Sequence, residues 1–450
     1  MGAAFPPGFL WGAATSAYQT EGSPLADGAG PSIWHRFSHS PGRIANAETG
    51  DLACDHYRRL DEDLDLMAGL GLQAYRFSIA WGRVLPTGRG PANPKGLDFY
   101  QRLVDGLLAR DIQPMATLYH WDLPAALQDR GGWLNPDSPS WFADYGSLLF
   151  RTLGDRVPLW VTINEPWVVT VLGHLTADHA PGHRDLFEPP RVAHHLLLAH
   201  AEAVAAHRAL ARGQIGMAVN LEPQHPASCS PTDQAATARR DAFVNRWFLD
   251  PLFLGAYPPE LESIFGAAWP EIPADDYARI HCPGDFIGVN YYSRGLVRAD
   301  PTAEPLGAMR VTPEGAPLTS MDWEIYPAGL TEILLWLKGR YGSPALYITE
   351  NGAAFEDPPR AGGEVPDPDR AAYLHCHIDA ARDAVAQGVD LRGYFVWSLL
   401  DNFEWSQGYS KRFGLFHIDP GSRARIPKSS ARFYREVIRA HRARHGRGGE

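Results

Sequence analysis

Cysteine is scarce in this chain. Cys54, Cys229, Cys282 and Cys376 lie far apart and form no Cys-x-x-Cys pair. That spacing excludes a disulfide framework and leads us to expect free thiols in a reducing cytoplasm. Positive charge is also short: 41 Lys and Arg against 52 Asp and Glu leave a net charge of −11. With a pI near 5.9, this balance argues against nucleic acids and acidic membranes as partners. No apolar run reaches the roughly 18–20 residues needed to span a bilayer. The N-terminus has neither the basic start nor the clean apolar segment of a signal peptide. No strand pattern leads into a Gly-x-Gly-x-x-Gly loop and helix, which removes the main argument for a doubly wound, dinucleotide-binding sheet. The expectation is a soluble intracellular globular protein.

What is present is a large apolar share, 45%, and many aromatics: 14 Trp, 17 Tyr and 19 Phe. Two stretches organise the rest. Leu159 to Ile163 is an apolar, β-branched run that reads as a strand buried on both faces, delivering Asn164 and Glu165 before Pro166 forbids further pairing. Leu346 to Thr349 repeats the form and delivers Glu350 before Asn351 and Gly352. Similar runs occur at 9–14, 74–79, 113–119, 215–220, 286–292 and 391–397. Helical stripes lie between them, such as Leu60, Leu64 and Met67, or Leu97, Tyr100, Val104 and Leu107 behind an Asn93-Pro94 start. Eight strands alternating with helices, with no linker-like change of composition, predict a single (β/α)8 barrel domain over residues 1–450. Residues 442–450 form a basic, Gly-rich tail expected to fray. Segments 22–51 and 293–325 are too long for turns and are expected to wall the C-terminal face, where barrels carry their sites. The helix expected over 189–212 holds His194, His195, His200 and His207. These lack the i, i+4 pairing of a helix-borne zinc site and suggest no carboxylate partner, so neither metal nor cofactor is expected.

The strand ends collect Gln19, His120, Asn164, Glu165, Asn220, Tyr292, Glu350, Trp397 and Glu404. Singly, each has an ordinary reading as a cap, a satisfied core group or packing. Together they offer two carboxylates for acid–base or nucleophilic work, polar groups that pair with vicinal hydroxyls, and indole planes for C–H faces. That combination suits hydrolysis of a sugar.

The motifs resemble family 1 glycoside hydrolases of the β-glucosidase type over nearly the whole chain. Residues 9–22, Phe-Leu-Trp-Gly-Ala-Ala-Thr-Ser-Ala-Tyr-Gln-Thr-Glu-Gly, are similar to that family's opening signature. Thr162-Ile163-Asn164-Glu165-Pro166 is similar to its acid/base motif, and Ile348-Thr349-Glu350-Asn351-Gly352 to its nucleophile motif. Tyr119-His120-Trp121-Asp122-Leu123-Pro124 and the run Trp397 to Trp405 complete the set.

The resemblance implies a retaining double displacement with Glu350 as nucleophile and Glu165 as acid/base, which requires carboxyls roughly 5–5.5 Å apart. It implies that Arg76 and Tyr292 support the charge of Glu350 and that Asn164 binds the 2-hydroxyl. Gln19, His120, Glu404 and Trp405 would hold the remaining hydroxyls, with Trp397 as the floor. Trp167, Leu172, Asn220 and Trp323 would line the leaving-group side. Glu165 is not the Gln of plant thioglucosidases, and Glu404-Trp405 is retained where 6-phosphoglycosidases typically lose it. Neutral β-glucosides, including cellobiose, short cello-oligosaccharides and aryl or alkyl glucosides, are therefore the expected substrates. A transglycosylase or β-mannosidase stands as the in-class alternative, with a silent sugar-binding protein and a metal-dependent barrel hydrolase outside it.

Overall fold

The computed structural model describes residues 4–357 and 363–445. Among the described residues, eight parallel strands close into a barrel: β1 (Leu10–Ala14), β2 (Ala74–Ser78), β3 (Gln113–Tyr119), β4 (Leu159–Asn164), β5 (Gln214–Asn220), β6 (Phe286–Asn290), β7 (Leu346–Asn351) and β8 (Leu391–Trp397). Neighbours follow chain order, and β1 closes the ring by pairing with β8 from Leu10↔Gly393 to Ala14↔Trp397. Every residue of β2, β4, β6 and β7 is buried. This is why the strands read as continuous apolar runs rather than alternating ones.

The core has two layers. Ala74, Met115, Leu159, Val161, Phe286, Tyr347 and Phe395 pack together inside the ring. A larger cluster fills the space between strands and outer helices, where helix Leu60–Leu70 buries Leu60, Leu64 and Met67 as its periodicity requires. Helix Pro94–Leu108 buries Phe99, Tyr100, Leu103, Val104 and Leu107, while Leu97 is only half-buried. Asn93 occupies the N-cap position, but its amide donates to the carbonyls of Arg83 and Asp27 instead of capping.

Segment 293–325 departs from the expected loop. Its strands Gly295–Ala299 and Ala308–Val311 pair with each other, and Gly295–Ala299 also pairs with Gln224–Pro226, giving a three-stranded sheet. Segment 22–51 contains helix Ile33–Ser38, whose first turn is capped by the Ser32 hydroxyl accepting from the His35 N–H. The last helix, Ser429–His445, continues three residues past Arg442. The tail beyond it, 446–450, lies outside the described residues.

The histidines of helix Glu188–Leu210 have separate partners. His194 does have a carboxylate, Asp276 at 3.1 Å, together with the Tyr257 hydroxyl. The partner was invisible because it lies 82 residues away in sequence. His195 meets the Trp133 carbonyl, His200 meets Thr162 and the Cys282 carbonyl, and His207 packs on Phe150.

Candidate active site

A pocket of about 660 Å³ opens at the C-terminal ends of the strands. Its base is built by β4 and β7, which stand three positions apart around the ring. Each shows a register irregularity near its end, between Val161 and Asn164 in β4 and between Ile348 and Glu350 in β7. Such bulges re-aim side chains at a barrel rim. Glu165 follows β4 in a left-handed conformation (φ 47°), and Pro166 then occupies the first position of helix Pro166–His174. Trp121 (φ 78°) and Trp405 (φ 48°), also in the pocket wall, share that disfavoured region. Non-glycine residues there cost of order 1–3 kcal/mol each. At Gly352 a Cβ would lie 1.7 Å from the Trp397 carbonyl oxygen, so the residue after Asn351 must be glycine for β7 and β8 to approach.

Both carboxyls are buried, Glu165 at 6% and Glu350 at 3% exposure, but their partners differ. Arg76, fully buried on β2, donates from Nη1 to Glu350 Oε1 at 2.6 Å, and the Tyr292 hydroxyl donates to Glu350 Oε2 at 2.6 Å. Glu165 receives one neutral donor, Asn290 Nδ2, at 2.7 Å. Burial raises both carboxyls, and Glu350 stays above its ordinary value although the Arg76 charge and the Tyr292 hydrogen bond oppose the rise. Burial, followed by the charge of Glu350, pushes Glu165 up to about 8. Of the two, Glu350 is the carboxyl whose partners favour the charged form, and Glu165 the one that favours the proton.

Asn164 links the two sides. Its Oδ1 accepts from Arg76 Nη2 (2.6 Å) and Asn290 Nδ2 (3.0 Å), which fixes the amide orientation. Its Nδ2 then donates to His120 Nε2 at 3.1 Å. Burial, then the Arg76 charge, holds His120 well below the ordinary imidazole range, so it stays neutral.

Glu404 lies on the opposite wall, where Gln19 Nε2 donates to its Oε2 at 3.3 Å and to Asn402 at 3.2 Å. Burial and the Glu350 charge push Glu404 up to about 8. Lys411 and Arg412 engage the Ser320 carbonyl and Asp357 rather than Glu404. Trp397 stacks on His120 at 5.8 Å, and Trp405 packs on Trp121 at 4.6 Å.

Of the residues singled out from sequence, His120, Glu165, Tyr292, Glu350, Trp397, Glu404 and Trp405 line this pocket, as do Trp167, Leu172, Asn220 and Trp323. Gln19, Arg76 and Asn164 stand behind that surface, bonded to residues that form it. Asn290 was missed, although it touches Asn164 and Glu165 and accepts from the Thr349 hydroxyl at 2.7 Å. The expected strand ran on to Tyr292, whereas β6 stops at Asn290 and presents it at the tip. Trp121 was also missed as a site residue; its indole N–H donates to the Asn164 carbonyl at 2.9 Å.

Comparison with known proteins points the same way. Residues 1–443 match the family model "Glycosyl hydrolase family 1". Beta-glucosidase A of Thermotoga maritima is 50% identical over 97% of this chain and 98% of its own length. A 1,4-beta-D-glucan glucohydrolase of Thermotoga neapolitana is 48% identical over 97% and 98%. The solved structure of the Thermotoga maritima beta-glucosidase in complex with deoxynojirimycin superposes with a TM-score of 0.95 at 50% identity, covering 97% of this chain and 99% of that one.

Proposed function

The chain belongs to glycosyl hydrolase family 1 and is a glycosidase of the β-glucosidase kind, and we propose that it removes terminal β-D-glucosyl residues by a retaining double displacement. The observation that carries this reading is the differing setting of two buried carboxyls in one pocket: Glu350 bonded to the Arg76 guanidinium and the Tyr292 hydroxyl, Glu165 raised to about 8 with one amide donor. In the first step a Glu350 oxygen attacks the anomeric carbon, the glycosidic C–O bond breaks, and the Glu165 proton passes to the departing oxygen. In the second, Glu165 takes a proton from water, the resulting oxygen attacks the same carbon, and Glu350 leaves as carboxylate. Asn164 suits the 2-hydroxyl, because Arg76 and Asn290 fix its amide. Gln19, His120, Glu404 and Trp405 suit the other hydroxyls, over the Trp397 face.

The substrate class is neutral: cellobiose, short cello-oligosaccharides and aryl or alkyl β-glucosides. Glu404 bears on this. With its carboxyl raised to about 8, it holds a proton in the free site at neutral pH. Exclusion of a 6-phosphate then rests less on like-charge repulsion than on the cost of desolvating a dianion. Four unpaired thiols support a reducing, cytoplasmic setting.

The test is kcat/KM for a panel of nitrophenyl glycosides alongside cellobiose, cellotriose and nitrophenyl glucoside 6-phosphate. The β-glucoside is expected to lead and the 6-phosphate to be nearly inert. A preference for the phosphorylated sugar, or for β-mannoside, would overturn the substrate assignment.

A further inference from the structure

At about 660 Å³ the pocket has more room than one sugar ring fills, and part of its lining differs in character from the carboxyl-bearing part. Past the carboxyls it is walled by Trp167, Leu172, Met321 and Trp323, flat or apolar side chains suited to an aromatic aglycone. At the mouth it meets Arg43 and Arg184. Arg43 comes from segment 22–51 and Arg184 from the loop after helix Pro166–His174. The two guanidiniums are brought together by one piece of chain: Arg184 Nη2 donates to the Thr176 carbonyl at 3.0 Å, and Arg43 Nη1 to the next carbonyl, Ala177, at 3.4 Å. Arg43 is further seated over the Phe37 ring at 5.2 Å. A Cβ at Gly182 would lie 3.5 Å from the Arg43 guanidinium carbon and 2.9 Å from Phe37, so the loop makes room for this packing. Among the described residues neither arginine has a carboxylate within ion-pair distance, whereas Arg310 at the same mouth is drawn to Glu222 at 3.6 Å. Asp178, exposed on the same loop, offsets part of the charge but leaves the pair in excess. In a chain of net charge −11, two uncompensated guanidiniums at the outer end of an aromatic channel form a local anion site.

We propose that this mouth selects β-glucosides whose aromatic aglycone ends in a carboxylate, such as the glucosides of phenolic acids. The ring would lie between Trp167 and Trp323 and the carboxylate would reach Arg43 and Arg184. This inference rests on the β-glucosidase reading and narrows it to a substrate class.

The experiment compares the β-glucoside of para-hydroxycinnamic acid with that of its methyl ester, which differs in the distal charge. In the native enzyme the acid-to-ester ratio of kcat/KM is expected to be about five to ten, as two partly exposed charge pairs can supply, and to shrink as salt rises from about 20 mM to about 500 mM. In Arg43→Gln/Arg184→Gln the ratio should fall to about one. The ratio of Kd values for the two compounds, measured by calorimetry on Glu350→Gln, should fall in the same way when the arginines are removed. A native ratio near one, or a ratio unchanged by the double substitution, overturns the proposal. If neither compound is hydrolysed but the arginine-dependent difference in Kd persists, the glucosidase reading fails and the anion site stands.

Discussion

The tips of β4 and β7 are written almost alike, an apolar run, a polar residue, a glutamate and a chain breaker, yet they set their carboxyls in opposite surroundings. Glu350 meets a guanidinium and a phenol, both at 2.6 Å. Glu165 meets one amide and sits in left-handed backbone. The local pattern supplies a carboxyl at a strand end, and neighbours brought from other strands decide which one keeps a proton. Arg76 comes from β2, Tyr292 from just past β6, and Asn290 from the end of β6. A chain with the same two strand ends and these neighbours exchanged would exchange the two roles.

The largest effect that can test this comparison is loss of the charged partner. Glu350→Gly is expected to lower kcat on nitrophenyl β-glucoside by roughly 10⁴-fold or more, because no covalent intermediate can form. Azide or formate should restore part of the rate and yield a glycosyl product of inverted configuration. A variant keeping a tenth of native activity would assign the nucleophile elsewhere. Next is Glu165→Ala, which should cost roughly 10²–10⁴-fold on cellobiose and far less on dinitrophenyl glucoside in the glycosylation step, where the leaving group needs little protonation. Equal losses on the two substrates would take the acid role from Glu165.

How much of this difference was legible before the structure depends on the distance over which each feature is decided. The buried strands and the two glutamates were readable because a parallel strand buried on both faces is a contiguous apolar run. The contacts of Arg76 and Tyr292 with Glu350 were expected only by resemblance, and the structure shows them as two short hydrogen bonds. Asn290 went unread because Tyr291 and Tyr292 extend the apolar run, so nothing local marks where pairing ends. The left-handed Glu165 went unread because non-glycine residues carry no signal for positive φ. The sheet within 293–325 went unread because Gly295–Ala299 pairs partly with Gln224–Pro226, about seventy residues away in sequence.

A smaller substitution sharpens the contrast at one end. Tyr292→Phe removes a donor that lowers the Glu350 carboxyl and leaves Arg76 in place. The acid limb of kcat/KM should therefore move to higher pH, since Glu350 would take up its proton sooner. The basic limb belongs to Glu165 near pH 8 and should move little. One hydrogen bond to a charged group corresponds to about 1.5–3 kcal/mol, so a loss of roughly 10–100-fold at neutral pH is expected. An acid limb that stays fixed would separate Tyr292 from the charge of Glu350.

The smallest effect concerns stability. Glu165 is 6% exposed and its folded carboxyl is raised from 4.5 to about 8. Between these values the folded state holds a proton that the unfolded state releases, so this residue makes stability fall as pH rises through that window. Glu165→Gln keeps an oxygen to accept from Asn290 and cannot ionise. The variant should therefore match native stability near pH 5 and exceed it increasingly toward pH 8. The margin is of order 1–3 kcal/mol, about 1–3 °C in Tm for a chain of this size. At β7 the Glu350 carboxyl is raised as well, but loss of its ion pair outweighs that, and the same isosteric change is expected to have the opposite sign. Glu350→Gln leaves Arg76, fully buried, without its counter-charge, and breaking such a pair costs about 3–5 kcal/mol. Calorimetric Tm for both variants from pH 5 to pH 8 decides the matter. Two variants moving in the same direction would mean that the carboxyls share one environment, and the division of labour between the two strand ends would have to be abandoned.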